Sequence, residues 1–288
     1  MDNICENWST WLKQTRFSYM SEIQKEQTMN FLISIRDIVL DMAELKEGQK
    51  IADFGCGSGL LAFGILERFK DKVELIFSDK FIDCIDECKK ILDSSNIKHS
   101  AKFLQSDVAD IKLQDNYLDR ALTRSVLVHV KDKYPAFKEL YRVLKPEGLY
   151  CAFEPIISEN TKYYEILNPS MITDYEDFKK AELEIMSNPD DPLVNFSAES
   201  LDKDLGNSGF SDVLVNVNVV TSKYVALPDS IKNWFISPPG PNQKTVKERF
   251  LCYFDEKKID KYIQEVIASL SNKEVEINTK TALIKARK

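Results

Sequence analysis

Short apolar runs alternate along the first half of the chain with longer stretches whose apolar residues recur every three or four positions. The runs with the composition of buried strands are 51–54, 73–78, 101–105, 118–123 and 149–154. Helix-like stretches lie between them at 60–69, 82–92 and 134–143. Strands and helices that alternate in this way are typical of βαβ units. The pattern therefore predicts an α/β fold built on a mostly parallel, buried sheet.

The rest of the chain departs from this alternation. Residues from about Ser9 to Ala43 have the apolar spacing of a helix, which would precede the sheet. After Pro155 we expect an acidic helix, a strand, a further helix and a last strand, near 174–186, 212–220, 257–270 and 281–286. The polar sequence SPPGPN at 237–242 predicts a loop. The two late strands would complete a seven-stranded sheet that carries helical additions.

Composition narrows the class of protein. The 288 residues are 43% hydrophobic and 30% charged, so the chain can bury a sizeable core. The 46 acidic and 39 basic residues give a net charge of −7, which disfavours general binding to nucleic acid or to an anionic membrane surface. We expect no export signal or membrane span. Six scattered cysteines are typical of free thiols, and we therefore expect a cytoplasmic protein.

The sequence DFGCGSG at 53–59 lies between the first strand and the first helix of the alternating region. Open α/β sheets bind ligands at this position. Glycines let a ligand approach the backbone there, and the first amides of the next helix are free to donate hydrogen bonds. The dinucleotide fingerprint GxGxxG fails because its last position is Leu60, and no Walker lysine is present. The negative charge of Asp53 would repel a pyrophosphate and suits a ligand that carries an amino group.

Asp-x-Gly-x-Gly-x-Gly after a first strand resembles motif I of the class I S-adenosylmethionine-dependent methyltransferases. The resemblance continues in order over about residues 45–155. Acidic residues follow the second and third strands at Asp79 and Asp107, and the fourth strand leads into the sequence TRSVLVHV at 123–130. The turn before the fifth strand reads LKPEG, with Glu147 where the family usually has glycine.

The resemblance implies a Rossmann-like, seven-stranded, mostly parallel sheet with N-terminal helices and a C-terminal helical insertion. It implies a helical lid at 1–47, which contains Trp8 and Trp11, and a methyltransferase domain at 48–288, with a cofactor-binding core at 48–155 and substrate-specific additions within 156–280. The implied cofactor is S-adenosyl-L-methionine. The residues that would bind it are Asp53, Gly55, Gly57, Gly59, Asp79, Asp107, Val108 and Arg124.

For three of these side chains the sequence also allows a role other than cofactor binding. Asp79 would bind the ribose hydroxyls of the cofactor, or it is an exposed carboxylate paired with Lys80. Asp107 would contact the adenine amino group, or it caps a turn. Arg124 binds the methionine carboxylate or a substrate acid, or it pairs with Asp119.

Further candidates lie around the same crevice. His129 follows the fourth strand, and its near-neutral reference pKa suits a general base, although a packing role at a helix end explains it as well. Glu154, at the end of the fifth strand, is a candidate substrate contact. Cys84 and Cys88 share one helix face and could hold a soft metal, but two thiols without a histidine make a poor site. We expect them to be buried and expect no metal.

The resemblance predicts an enzyme that transfers a methyl group to a small-molecule acceptor. An RNA or DNA methyltransferase is the nucleic-acid alternative, but TRSV at 123–126 is neither the Asn/Asp-Pro-Pro-Tyr/Phe motif nor a sequence with a cysteine nucleophile. A protein methyltransferase and a catalytically inactive regulatory protein of the same fold remain alternatives. We expect no membrane partner and no nucleic acid, and the sequence leaves the acceptor and the oligomeric state open.

Overall fold

The computed structural model describes residues 4–15, 17–18, 22–95, 97–238 and 243–288. The strands are β1 Lys50–Phe54, β2 Glu74–Asp79, β3 Ala101–Gln105, β4 Leu118–Arg124, β5 Leu144–Pro155, β6 Ser211–Val225 and β7 Glu274–Arg287. The helices are α1 Ile4–Gln14, α2 Glu22–Met42, α3 Leu60–Phe69, α4 Ile82–Asp93, α5 Lys133–Val143, α6 Tyr163–Ile166, α7 Tyr175–Met186, α8 Ala198–Asn207, α9 Pro228–Ile236, α10 Val246–Phe250 and α11 Glu256–Leu270.

The strands form one seven-stranded sheet in the order β3-β2-β1-β4-β5-β7-β6. β1 is parallel to β2 and to β4, and the outer pairs β2 with β3 and β4 with β5 are parallel as well. β7 runs against β5, because Lys288 N donates to Gly148 O while Ile156 N donates to Lys280 O. The predicted seven-stranded, mostly parallel, Rossmann-like sheet is therefore confirmed, with the antiparallel strands at one edge.

The chain divides into two compact units. The first unit comprises residues 1–154, 198–217 and 282–288, and the second comprises 155–197 and 218–281. The division into a lid at 1–47 and a methyltransferase domain at 48–288 stays a prediction.

In the first unit, α1 and α2 pack against α3, and a single apolar cluster joins these helices to the sheet. Phe77 on β2 lies at the centre of this core, with its ring centroid 5.4 Å from that of Phe63 and 5.1 Å from that of Phe103. The central strands are buried on both faces, as expected of a parallel sheet covered by helices. This core fixes the carboxyl ends of β1, β2 and β4 relative to one another.

The core of the second unit is largely aromatic. The ring of Phe178 on α7 stacks on that of Tyr262 on α11, with centroids 3.9 Å apart and planes 6° apart. The buried carboxylate of Glu182 accepts hydrogen bonds from the backbone N–H groups of Tyr163 and Tyr164 at 2.7 and 3.2 Å, which joins α7 to the start of α6. Aromatic rings thus supply much of the buried surface of this small helical unit.

Local sequence signals set the starts of several helices. Asp132 and Asp255 cap α5 and α11 by accepting backbone N–H bonds from Tyr134 and Lys258. At α10, Thr245 and Glu248 form a reciprocal capping box. These short polar side chains satisfy N–H groups that have no partner within their own helix.

The single helix expected from about Ser9 to Ala43 is wrong. The structure has two helices there, and α1 ends where the backbone N–H of Phe17 donates to Leu12 O, a wider turn than that of an α-helix. The partly buried ring of Phe17 packs against the core at this point, where the periodic pattern would continue the helix.

Other boundaries differ from the expectation. The turn before the fifth strand becomes part of β5, which begins at Leu144 and bulges, because Leu118 pairs with Leu144 and Arg120 already pairs with Leu149. β6 and β7 are longer than expected, and helices α6, α8, α9 and α10 had no sequence prediction. Of the loop expected at 237–242, residues 239–242 lie outside the described residues. Within the described part of the chain, no helix is both long and apolar enough to cross a membrane.

Candidate functional site

The segment at the end of β1, residues 53–59 and here called the glycine loop, contains three glycines with positive φ angles of 66°, 51° and 85° at Gly55, Gly57 and Gly59. A Cβ atom on Gly55 would overlap Val126 Cγ2, and one on Gly59 would lie 2.5 Å from Phe63 Cε2. A Cβ on Gly57 would meet nothing within 4 Å. Packing therefore requires glycine at two positions, whereas at Gly57 the backbone borders open space.

Hydrogen bonds hold most peptide groups of the glycine loop. The bonds are Cys56 N to Ser78 O at 2.9 Å, Gly57 N to Asp79 Oδ2 at 2.9 Å, Gly59 N to Cys56 O at 2.7 Å, Cys88 Sγ to Gly57 O at 3.3 Å and Trp8 Nε1 to Ser58 O at 2.8 Å. The carbonyl of Gly55 and the N–H of Ser58 are among the groups of the loop that have no partner in the described part of the chain. The loop thus offers a ligand both an acceptor and a donor.

Asp53 closes β1 and is only 2% exposed. Its Oδ2 accepts a hydrogen bond from Ala62 N at 3.0 Å, in the first turn of α3, where the helix dipole favours a negative charge. Burial raises the pKa of Asp53 to about 8, with a further rise from the Asp79 carboxylate, while the Ala62 N–H and Arg124 oppose this rise. A ligand cation next to Asp53 would lower this pKa and favour the ionised carboxylate.

Asp79 closes β2 and is 7% exposed. Both of its oxygens accept backbone N–H bonds of 2.9 Å, Oδ1 from Phe81 and Oδ2 from Gly57. Asp79 therefore connects the end of β2 to the glycine loop. Lys80 pairs with Asp107 at 2.9 Å, so the suggested pair of Lys80 with Asp79 is wrong.

Asp107 follows β3 and has two partners. Its Oδ1 accepts the backbone N–H of Ala109 at 2.9 Å, which is the turn cap considered from the sequence, and its Oδ2 pairs with Lys80. Partial burial raises the pKa of Asp107, but these two partners outweigh it and the pKa lies below its ordinary value. The neighbouring Val108 is buried. Asp107 is thus ionised at neutral pH.

Arg124 and Glu154 close β4 and β5, and each keeps a buried polar atom without a partner in the described part of the chain, Arg124 Nε and Glu154 Oε2. The suggested pair of Arg124 with Asp119 is wrong, because the oxygens of Asp119 accept from Lys50 N and Lys145 Nζ instead. Burial lowers the pKa of Arg124, whereas the carboxylates of Glu154 and Asp53 raise it. Buried polar atoms normally have partners, so these two atoms indicate a place where a polar ligand binds.

Glu154 is fully buried and also fixes the loop after β4. Its Oε1 accepts backbone N–H bonds from Val126 at 2.9 Å and Leu127 at 3.1 Å. Burial raises the pKa of Glu154 to about 7, although these donors and Arg124 favour the ionised form. The same Val126 contacts the glycine loop at Gly55, so Glu154 acts on that loop through one intermediate residue.

His129 ends the short 3-10 turn Leu127–His129 that follows β4. Partial burial lowers its pKa below the reference value of 6.5, so its ring is neutral at pH 7. A neutral imidazole can accept a proton. Of the two cysteines on α4, Cys88 is buried against the glycine loop and Cys84 is partly buried. The described residues contain no group of three side chains that could hold a metal ion.

Residues 52–152 match a family model that is described as a methyltransferase domain. The matched segment includes the whole glycine loop, Asp79, Asp107 and Arg124. Residues 52–152 form a methyltransferase domain. This match confirms the resemblance to methyltransferases over these residues.

The methyltransferase domain has relatives in which it is part of a longer chain. The protein is 29% identical to a sterol 24-C-methyltransferase of Aspergillus fumigatus over 115 residues, 40% of this chain and 30% of that protein. It is 26% identical to a ubiquinone/menaquinone biosynthesis C-methyltransferase of Coxiella burnetii over 142 residues, 47% of this chain and 57% of that protein. The chain thus spans less than two thirds of the length of either relative.

A solved structure shows the same fold. It is phosphoethanolamine N-methyltransferase 2 of Haemonchus contortus in complex with phosphomonomethylethanolamine and S-adenosylhomocysteine. The TM-score is 0.53 at 14% identity, and the match covers 98% of this chain and 60% of that one.

The fold brings most of the predicted residues to one edge of the sheet. The glycine loop, Asp79, Arg124 and Glu154 lie at the carboxyl ends of β1, β2, β4 and β5, because parallel strands end at the same edge. Asp107 and Val108 lie at the corresponding end of β3. His129 lies one turn beyond the loop after β4.

Three contacts of the glycine loop were not predicted from the sequence. Trp8 and Cys88 bond to carbonyls of the glycine loop, and Val126 packs against Gly55. A tryptophan 50 residues before the loop gives no local signal of this contact. An apolar residue directly after a strand end is a general signal that a loop packs against its neighbour, and Val126 has that position.

Proposed function

We propose that the protein is an S-adenosyl-L-methionine-dependent methyltransferase that acts on a small-molecule acceptor. The observation that carries this proposal is the glycine loop of the methyltransferase domain, with open space at Gly57 and with an acceptor and a donor left unbonded at Gly55 and Ser58. A ligand with an amino group and a carboxylate on one short chain, as in the methionine part of the cofactor, complements this pair.

The roles of the single residues are part of the proposal. The Gly55 carbonyl and Asp53 would receive the amino group, while the Ser58 N–H and Arg124 would receive the carboxylate. The orphaned Nε of Arg124 supports this assignment, because a bound anion would give it a partner. Gly57 and Gly59 would leave room for the backbone approach, Asp79 would bind the ribose hydroxyls, and Asp107 with the Val108 backbone would bind adenine.

The cofactor would supply a methyl group on a positively charged sulfur, which is a good leaving group. The task of the protein is then to hold the acceptor in line with that methyl, and such alignment can contribute roughly 7 to 11 kcal/mol to lowering the barrier. His129 would take the proton from an acceptor that carries one, and the neutral state expected from its lowered pKa suits this role. Glu154, with its free oxygen, would contact the acceptor.

The acceptor class rests on the relatives. Their names place them in sterol, quinone and phosphoethanolamine methylation, which are reactions on small molecules. No finding favours an RNA, a protein or a purely regulatory role. The proposal includes a lid formed by residues 1–47. It also includes a location in the cytoplasm, which the cysteine pattern suggests.

The first test is isothermal titration of the protein with S-adenosylmethionine, S-adenosylhomocysteine and, as a control ligand, NADH. We expect micromolar binding of the two sulfur compounds and no binding of NADH, because the loop lacks the last glycine of the dinucleotide fingerprint. Binding of NADH alone would overturn the assignment. A screen of small acceptors, with S-adenosylhomocysteine release as the readout, would then identify the substrate.

The role of His129 has a separate test. His129→Ala should lower kcat at least tenfold for an acceptor that loses a proton, with the affinity for S-adenosylhomocysteine unchanged. In the wild type, kcat should fall as the pH drops through the lowered pKa of His129, at a pH below 6.5, because the protonated ring cannot accept a proton. His99→Ala, at the exposed second histidine, is the matched control and should leave kcat unchanged. Equal kcat values for all three proteins would dismiss His129 as the base.

A further inference from the structure

Helix α1 is held against the rest of the first unit by one apolar stripe. Ile4, Trp8 and Leu12 are spaced four residues apart and are 1%, 1% and 2% exposed. All three belong to the same buried cluster as Leu60 and Phe63 of α3. This spacing puts the three side chains on one face of α1, so the position of Trp8 is fixed by its two neighbours on the stripe.

The indole of Trp8 makes one polar contact, with the glycine loop. An indole ring has a single N–H donor and no acceptor. In Trp8 this N–H donates to the carbonyl of Ser58 at 2.8 Å, between Gly57 and Gly59. The hydrogen bond is therefore a direct connection from the N-terminal helix to the predicted cofactor loop.

The peptide unit between Ser58 and Gly59 is held at both ends. The carbonyl and the N–H of one trans peptide point in opposite directions. Here the carbonyl accepts from Trp8 and the N–H of Gly59 donates to Cys56 O at 2.7 Å. This plane cannot rotate without breaking both hydrogen bonds.

The preceding peptide unit, between Gly57 and Ser58, is held at one end only. Its carbonyl accepts from Cys88 Sγ at 3.3 Å, and its N–H, that of Ser58, has no partner among the described residues. With both flanking planes fixed, the direction of this unbonded N–H is fixed as well. Trp8 and Cys88 together aim the donor that the proposed function assigns to the cofactor carboxylate.

We propose that Trp8 is a positioning residue for cofactor binding, which it supports by orienting the Ser58 peptide through its indole N–H. This inference rests on the proposed function. A loop with three glycines at positive φ samples many conformations when it is not held, and ordering it on binding costs affinity. The bond from Trp8 sets the loop conformation before the cofactor arrives.

The test is the substitution Trp8→Phe, which keeps a buried aromatic ring and removes the N–H donor. Loss of one neutral hydrogen bond should raise the Kd for S-adenosylhomocysteine about two- to tenfold. KM for S-adenosylmethionine should rise equally, while kcat at saturation should change little, because the bond acts on the loop and not on the reacting atoms.

Trp11→Phe is the matched control. It makes the same chemical change on the same helix, and the Trp11 indole N–H has no bond to any described residue. Kd should be unchanged in this variant. Equal Kd values for Trp8→Phe and the wild type would overturn the inference and leave the proposed function intact, whereas a wild type that does not bind S-adenosylhomocysteine would overturn both.

A measurement on the wild type tests the same bond without any risk of misfolding. In a ¹⁵N-labelled sample, the indole N–H signal of Trp8 should exchange slowly with solvent and should shift when S-adenosylhomocysteine is added. The Trp11 indole signal should do neither. Rapid exchange at Trp8, or a signal that the ligand does not shift, would show that the indole does not orient the loop.

Discussion

The three glycines of the glycine loop belong to one motif, but the physical reason that requires glycine differs between the positions. At Gly55 and Gly59 any side chain would collide with Val126 or Phe63, so these positions are fixed by packing within the protein. At Gly57 only the positive φ demands glycine, and the space beside it is open. Gly57 is therefore the position at which a substitution should separate ligand binding from folding.

We predict that Gly57→Leu weakens S-adenosylhomocysteine binding more than tenfold by filling the space open to the ligand. Gly48→Leu is the matched control, because Gly48 has a φ of 83°, also has nothing within 4 Å of a built Cβ, and lies before β1. Both variants should lose about 1 to 2 kcal/mol of stability to backbone strain. Titration calorimetry compares the two, and unchanged affinity in Gly57→Leu would contradict the motif assignment.

Asp53 carries a second prediction at the residue scale. Because burial raises its pKa from 3.8 to about 8, the folded protein binds a proton that the unfolded chain releases, and this contribution to stability is lost as the pH rises between these values. Asp53→Asn removes the ionisable group. In the absence of cofactor, the free energy of unfolding of this variant should rise relative to wild type by about 1 kcal/mol or more between pH 5 and pH 8.

The control for Asp53 is Asp71→Asn. The hydrogen bond from Lys98 lowers the pKa of the half-buried Asp71, so its contribution to stability has the opposite sign of pH dependence. Denaturant unfolding at several pH values measures both variants. If the difference in the free energy of unfolding between the wild type and Asp53→Asn does not change with pH, the Asp53 carboxylate is ionised in the folded protein.

At the scale of elements, the loops after four strands are joined to one another. Asp79 at the end of β2 bonds to Gly57 after β1, Val126 after β4 packs against Gly55, and Glu154 at the end of β5 bonds to Val126. Since β1 lies between β2 and β4 in the sheet, these contacts follow the strand order. The site is therefore a property of neighbouring strand ends and not of one loop.

The contact between two of these loops can be measured with a double-mutant cycle. Gly55→Ala should cost about 1 to 3 kcal/mol of stability, because its methyl group would overlap Val126 Cγ2. Val126→Ala removes the overlapping atoms, so the double variant should lose less than the sum of the two single losses, by about 1 kcal/mol. Val126→Ala should not reduce the stability loss caused by Gly59→Ala, because the methyl group added at position 59 would meet Phe63. Simple additivity in the first cycle would contradict the described contact.

At the scale of the whole molecule, all the predicted site residues lie in the first unit, between Asp53 and Glu154. The second unit has its own aromatic core. A ligand that binds the folded first unit stabilises it by mass action.

We predict that S-adenosylhomocysteine at 100 times its Kd stabilises the protein by about 2.7 kcal/mol, which corresponds to a rise in Tm of roughly 5 to 10 °C. Differential scanning calorimetry would show this rise, and NADH at the same concentration should leave Tm unchanged. If the two units unfold in separate transitions, only the transition of the first unit should shift. A shift confined to the other transition would place the cofactor site outside the first unit.

The sequence by itself determined the strands β1 to β4, the helices α3, α4, α5, α7 and α11, and the residues of the glycine loop. Each of these depends on a pattern within a few residues: an apolar run, a helical spacing, or glycine after a strand. The family resemblance added the order of the motifs. Local patterns of this kind persist in any tertiary context, because they follow from backbone geometry and side-chain burial.

Only the tertiary structure decided the break between α1 and α2, the helices α6 and α8 to α10, and the partners of the site residues. Phe17 packs partly buried against the core, Lys80 pairs with Asp107, and Trp8 bonds to a carbonyl 50 residues further along the chain. Such contacts join residues that are distant in sequence, and their energies depend on where the sheet places each strand end. A local pattern carries no information on that placement, because it is fixed by the packing of the whole unit.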